Sequence, residues 1–174
     1  APLYSWLSDS VKSGDLGDLF SIDADYLYGR IEKITGGWRS RDPEYSVMAG
    51  GGIHMLDLVL RISGQRPVSV SSRGNSIGTR GTAFKLNDFV SSSLMFESGL
   101  IARVNANFAC VHPHQHALRL FGTRATAIID DQGPRIFRHR GDDKKAEPID
   151  RSSRYGSKGV LIPEFVRAIK ERVD

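Results

Sequence analysis

Cysteine is nearly absent from this chain of 174 residues, which contains only Cys110. A single cysteine excludes an internal disulfide framework and is typical of proteins from a reducing compartment such as the cytoplasm. The sequence also lacks an apolar run near the roughly 20 residues that a membrane-spanning helix needs, and it shows no signal-peptide pattern. We therefore expect a cytoplasmic protein without a membrane partner.

A dense basic stripe is missing as well, although the net charge is +4 and the sequence pI is ≈ 9.4. Basic residues are mostly interleaved with acids, as Lys170 and Arg172 are with Glu171. A nucleic-acid interface needs clustered Lys and Arg with stacking aromatics, so we predict no nucleic-acid partner. With 40% hydrophobic and 25% charged residues, the chain instead has the composition of a globular domain.

A run of three glycines, Gly50 to Gly52, opens onto an apolar pattern of helical spacing that predicts a helix over residues 52–63. Glycines at this place would leave the amides of the helix N-terminus open to an oxygen-rich ligand. His54 and Asp57 stand at i and i+3, so they share one face of the first turns. The pattern fits either a functional site or a tight turn.

The rest of the chain predicts helices near both ends and a sheet between them. The predicted helices cover residues 3–11 and residues 160 to the end. The predicted strands cover residues 20–31, 68–77, 88–96, 100–108, 116–121 and 126–129. Residues 135–139 could add one more strand to this series. The connections are mostly too short for parallel crossovers, which favours an antiparallel sheet of about six strands. The polar stretch before residue 45 is a predicted loop, and its Trp38 and Arg39 are candidates to line a pocket.

Histidine occupies alternate positions at His112, His114 and His116. Alternate side chains of a strand point the same way, so three imidazoles could face one metal ion. Pro113 weakens that interpretation because it removes a ladder donor, and no acidic fourth ligand lies nearby in the sequence. We predict no metal site here, and a place for His112 beside a substrate pocket stays open.

Several segments together resemble the C-terminal domain of the glucose-fructose oxidoreductase, inositol dehydrogenase and MocA (Gfo/Idh/MocA) family. The similar segments are residues 12–19 with their G-x-[IL]-G-x-[IL] pattern, Trp38-Arg39 with the G-G-G…H-x-x-D…G region of residues 50–64, the strand pair around Leu120–Thr126, and the late helix at residues 165–169. The resemblance spans nearly the whole chain, and the segment around His54 is its most specific part.

The resemblance implies an α+β fold like the C-terminal domain of glyceraldehyde-3-phosphate dehydrogenase, with an open, mainly antiparallel sheet of about six strands and helices on one face. Residues 1–174 would be the substrate-binding and oligomerisation domain, whose sheet face pairs copies into a homo-oligomer. The chain has neither the G-x-G-x-x-G fingerprint nor the family's E-K-P segment with its catalytic lysine, so we expect the N-terminal dinucleotide-binding domain to be absent from it. Because Val173-Asp174 carries no helix cap, we expect the natural protein to continue.

By the same resemblance, the reaction is hydride transfer between a hydroxyl carbon of a sugar or cyclitol and NAD or NADP in the full-length protein. His54 matches the family's active-site histidine, which would exchange the hydroxyl proton. The residues expected to bind the substrate are Trp38, Arg39, Gly51, Gly52, Asp57 and His112. Gly50 stands where many members carry an aspartate, four residues before the histidine. Alone, the chain is expected to bind no cofactor and to be catalytically silent.

A non-catalytic assembly module is the alternative. Ile22, Ala24, Tyr26 and the strand over residues 90–96 could supply a sheet face used only to pair subunits. The two hypotheses differ in whether His54 lies in an open polar cleft or is packed away.

Overall fold

The computed structural model describes residues 2–141, 145–150 and 162–171. In chain order, these residues form α1 (Pro2–Lys12), β1 (Leu19–Leu27), α2 (Glu32–Thr35), a 3₁₀ turn (Trp38–Ser40), a π-helical turn (Met48–Gly52), α3 (Ile53–Ser63), β2 (Pro67–Asn75), β3 (Phe89–Phe96), β4 (Ile101–Asn107), β5 (Gln115–Gly122), β6 (Thr126–Ile129), β7 (Arg135–Phe137), β8 (Glu147–Pro148) and α4 (Ile162–Glu171). None of the helices in this part of the chain has the length and apolar character needed to cross a bilayer.

The strands of the described residues form one open sheet in the order β2-β3-β4-β1-β5-β6-β7-β8. Only β1 and β4 run parallel, and the other neighbouring pairs are antiparallel. The predicted hairpin of β3 and β4 is present, and its Gly99 has the positive φ of 86° that favours glycine. The mainly antiparallel α+β fold is confirmed, with eight strands in place of about six. The two-residue β8 was missed because so short a strand shows no periodicity.

On one face of the sheet, α3 packs on β1 and β4, and α1 packs on α3. On β1, Ile22 and Ala24 face this layer and are fully buried, whereas Asp23 and Asp25 alternate with them on the other face. Tyr26 is also buried, at 6% exposure. The assembly alternative was therefore wrong about these residues, because Ile22, Ala24 and Tyr26 form part of the core and offer no surface to a partner.

Two predicted elements end at other places than expected. The strand predicted over residues 20–31 stops at Leu27, because Gly29 turns the chain at a φ of 60° against the main chain of His112. The short α2 (Glu32–Thr35) lies directly after the predicted strand, at a place where no helix was predicted. The predicted last helix is present over Ile162–Glu171, and its expected parts at residues 160–161 and 172–174 lie outside the described residues.

Candidate functional site

The glycine run forms a π-helical turn that continues directly into α3. Gly52 has helical dihedrals of φ −56° and ψ −26°, and the N–H of Gly50 donates to the Ser46 carbonyl at 2.7 Å. The predicted helix over residues 52–63 is confirmed as α3, but its N-terminal amides are not open as expected, since the preceding turn already uses the helical hydrogen-bonding pattern. A glycine run alone does not distinguish a ligand loop from a turn that needs glycine for packing.

Packing against the sheet explains Gly51 and Gly52, which are both buried. A Cβ on Gly51 would lie 2.7 Å from Cδ1 of Tyr26 and 2.8 Å from Cε2 of Phe108. A Cβ on Gly52 would lie 3.1 Å from Cβ of Ala106. The glycines thus let the helical turn approach the ends of β1 and β4. Their contact with a substrate stays a prediction.

Three histidines surround Tyr26 at the end of β1 that adjoins this turn. The Tyr26 ring centroid lies 5.9 Å from that of His54, 5.2 Å from that of His114 and 5.0 Å from that of His116. The rings of His54 and His116 stack at 6.1 Å. The sheet register explains the grouping, because Tyr26 on β1 is paired with His116 on β5. We call His54, His114 and His116 the imidazole cluster.

Burial lowers the pKa of two members of the imidazole cluster. It lowers the pKa of His114, which Arg30 and His54 lower further, and it lowers the pKa of His116, which His114 and His54 lower further. Nε2 of His116 is buried and has no hydrogen-bond partner among the described residues. His54, on the first turn of α3, is exposed. The cluster thus combines a buried, unpaired imidazole nitrogen with an accessible histidine.

Trp38 and Arg39 connect to this cluster through a chain of aromatic rings. The guanidinium of Arg39 lies 4.7 Å from the Trp38 ring centroid and 5.8 Å from that of Tyr45. Tyr45 contacts Phe108 at 6.4 Å, and Phe108 stacks on Tyr26 at 5.6 Å. Two residues that the sequence singled out for a pocket are thus linked to His54 by packed rings.

Tyr45 also fills the space beside Gly50. A Cβ on Gly50 would lie 2.8 Å from Cζ of Tyr45 and closer still to its hydroxyl oxygen. That hydroxyl is buried without a hydrogen-bond partner among the described residues, and burial raises the pKa of the Tyr45 phenol. A neutral phenol therefore occupies the place from which a side chain at residue 50 would start.

His112 and Asp57 are the two remaining residues that the sequence singled out. Nδ1 of His112 lies 2.7 Å from the Pro113 carbonyl oxygen, and the ring packs on no other aromatic ring within the described residues. Asp57 is exposed and lines a groove with Lys12, Leu60 and Arg61, and His54 is not among the residues of that groove. In the described ranges, no three His, Cys, Asp or Glu side chains are arranged to hold a metal ion. Substrate contacts of His112 and Asp57 stay predictions.

Sequence reasoning missed Tyr26, Tyr45 and the place of His114 and His116. The signal for the two histidines was their alternation on one strand, which puts both side chains on the same face. Their meeting with Tyr26 depends on the pairing of β1 with β5, which the sequence pattern does not specify.

Comparison with known proteins gives a consistent result. The family model of the GFO/IDH/MocA C-terminal domain matches residues 4–128. No curated protein sequence matches the chain significantly. Among solved structures, similar folds occur in an inositol dehydrogenase homologue from Azotobacter vinelandii in complex with NAD⁺ (18% identity, TM-score 0.72) and in an aldose-aldose oxidoreductase from Caulobacter crescentus in complex with glycerol (15% identity, TM-score 0.73). A third is a UDP-N-acetylglucosamine 3-dehydrogenase from Acidithiobacillus ferrooxidans (22% identity, TM-score 0.69).

The similarity covers most of this chain but only about half of each solved structure. It includes 93%, 99% and 94% of this chain and 44%, 51% and 49% of the three proteins, in the order given. At these identities the structural likeness shows a shared fold.

Proposed function

The chain belongs to the GFO/IDH/MocA family, whose C-terminal domain it matches over residues 4–128, and from this we propose that it is the substrate-binding half of an NAD(P)-dependent oxidoreductase. The proposed substrate is a sugar, a cyclitol or a related hydroxyl compound. The observation that carries the proposal is the exposed His54 in ring contact with Tyr26 and His116, at the sheet end where the glycine turn packs. We further propose that the protein is cytoplasmic and has no nucleic-acid partner.

His54 is the residue to which we assign proton transfer. Oxidation of a hydroxyl group needs a base that takes its proton, and the reverse reaction needs an acid that returns it. An imidazole performs both tasks near neutral pH. The exposed position of His54 on the first turn of α3 leaves its ring accessible to a hydroxyl group. Trp38, Arg39, Gly51, Gly52, Asp57 and His112 remain the proposed substrate-binding residues.

The described residues do not fit a dinucleotide. Such a site needs a strand, a glycine-rich turn and a helix in succession, and β1 is followed by the four-residue α2 without a G-x-G-x-x-G fingerprint. We therefore assign NAD or NADP, which supplies the two-electron chemistry, to a separate domain of the full-length protein. The chain alone is then expected to bind no cofactor and to be inactive.

We also propose that the sheet face opposite the helices pairs copies of this chain. On that face Met95 and Ile101 are cross-strand partners, exposed by 51% and 47%. Ile101→Glu should reduce the mass measured by light scattering, whereas Ile77→Glu, at an exposed loop residue, should leave it unchanged. An unchanged mass in Ile101→Glu, with an unchanged melting temperature, would contradict this part of the proposal.

Turnover by the full-length protein tests the enzyme proposal. NAD(P) reduction should be followed with a panel of sugars and cyclitols for the wild type, for His54→Asn, and for the control His139→Asn, an exposed histidine outside the site. We expect kcat to fall by about 10²–10⁴ in His54→Asn, the usual contribution of a general acid or base. His139→Asn should retain the wild-type rate. Equal rates for His54→Asn and the wild type would exclude His54 as the catalytic group.

A further inference from the structure

Two arginines lie near the imidazole cluster and Tyr26. Arg30 contributes to the lowered pKa of His114, and Arg30 and Arg39 both act on the pKa of Tyr26. The hydrogen bonds and ion pairs of the described residues bring no carboxylate to His114, His116 or Tyr26. A neutral polyol offers nothing that balances positive charge at such a place.

Neither arginine has an anionic partner among the residues that the structure describes. The guanidinium of Arg30 lies 5.5 Å from the Tyr28 ring centroid, and Tyr28 contacts the His114 ring at 5.2 Å. Arg39 stacks on Trp38, and its Nε is buried with no hydrogen-bond partner in the described part of the chain. The ion pairs found among the described residues include neither Arg30 nor Arg39.

The carboxylate that this site would otherwise contain is replaced. Gly50 stands at the position where the resemblance expects an aspartate, and the phenol of Tyr45 fills the adjoining space. The guanidinium groups of Arg30 and Arg39, each stacked on an aromatic ring and without an ion pair in the described part of the chain, are suited to bind an external anion, which arginine does with paired hydrogen bonds.

We propose that the substrate carries an anionic group, a carboxylate or a phosphate, that binds to Arg30 or Arg39 beside the imidazole cluster. This inference rests on the proposed function and narrows its substrate class to acidic or phosphorylated sugars and cyclitols. The anion supplies the negative charge that the site lacks, while the hydroxyl group to be oxidised faces His54.

Binding to the 174-residue chain tests the inference with three probes: D-glucose, D-glucuronate and D-glucose 6-phosphate. Titrations at constant ionic strength should be followed by NMR of the histidine ring protons. We expect about tenfold tighter binding of at least one charged sugar than of glucose, as one added charge-assisted hydrogen bond would give. Tighter binding of glucuronate identifies a carboxylate, and tighter binding of glucose 6-phosphate identifies a phosphate.

Matched double variants connect the effect to the two arginines. Arg30→Gln with Arg39→Gln should abolish the preference for the charged sugar. Arg73→Gln with Arg80→Gln removes the same net charge at exposed positions of β2 and the following loop. This control should preserve the preference for the charged sugar. A preference that survives in the first double variant would overturn the inference.

The binding results also separate this inference from the proposed function. Equal affinity for all three sugars, with shifts in the histidine resonances, would overturn the anionic substrate and leave the sugar site intact. The absence of any shift with all three sugars would overturn both the inference and the sugar site on which it rests.

Discussion

Replacing Gly51 by alanine tests how the helical turn sets the geometry of the site. The added Cβ would lie 2.7 Å from Cδ1 of Tyr26 and 2.8 Å from Cε2 of Phe108, distances shorter than any normal carbon contact. Tyr26 and Phe108 are only 6% and 1% exposed, so neither ring has free space in which to move aside. Either the π-helical turn must lift from the sheet or Tyr26 must shift among the three imidazoles.

The expected cost follows from two opposing contributions. Overpacking of a buried site typically costs about 1–3 kcal/mol. Replacing a helical glycine by alanine returns about 0.5–1 kcal/mol of backbone entropy. The free energy of unfolding should therefore fall by up to about 2.5 kcal/mol, which lowers Tm by up to about 10 °C in a domain of this size.

Urea unfolding followed by circular dichroism measures this difference, with Gly36→Ala as the control. A Cβ on Gly36 would meet only the Glu32 carbonyl oxygen at 3.4 Å, so that variant should stay within about 0.5 kcal/mol of the wild type. The histidine ring resonances should move in Gly51→Ala and stay in place in Gly36→Ala. Wild-type stability together with an unchanged histidine spectrum in Gly51→Ala would refute the packing explanation of the glycine run.

Three further predictions concern charge and packing. The guanidinium of Arg135 holds the pKa of the Asp130 carboxyl below its usual range, so this pair stabilises the fold above about pH 4 and less below it. The free energy of unfolding in urea should therefore decline less at acidic pH in Asp130→Asn than in the wild type. An identical decline would contradict this. Because burial lowers the pKa of His116 in the folded chain, this histidine takes up its proton at a higher pH in the unfolded chain, as pH falls below about 6.5. Stability should therefore drop between pH 7 and pH 5, and His116→Gln should reduce that drop; an equal drop would refute it. Gly50→Asp should lower the free energy of unfolding by about 1–3 kcal/mol, because the new side chain overpacks against Tyr45. In a double-mutant cycle, the same substitution should cost less when Tyr45→Ala is also present. Additive effects of the two substitutions would contradict the contact.

Local periodicity was sufficient to predict most of the fold. The predicted helix over residues 52–63 matches α3, and the predicted strands over residues 88–96 and 100–108 match β3 and β4. The sequence did not separate the π-helical turn from an open helix N-terminus, because glycine is compatible with both. It also gave no sign of α2, whose four residues are too few to show a helical period.

The candidate site was only partly predictable, for a related reason. His54 was identified from its own segment, and Trp38 and Arg39 from their loop. Tyr26 and His116 are ninety residues apart and meet only through the register of β1 with β5. Register depends on the whole sheet, so short-range patterns did not predict that His114 and His116 meet Tyr26.

The replacement at Gly50 connects the chemistry of the site with its choice of substrate. The resemblance to the family expects an acid at that position, and the phenol of Tyr45 fills the adjoining space instead. With Tyr45 in its place, the described residues supply His54 with no carboxylate partner and leave the guanidinium groups of Arg30 and Arg39 without a counter-charge. A bound carboxylate or phosphate would restore that charge only when the substrate is present, so a neutral analogue should bind weakly even where its hydroxyl groups fit. The substrate itself would then complete the electrostatics of the site beside His54.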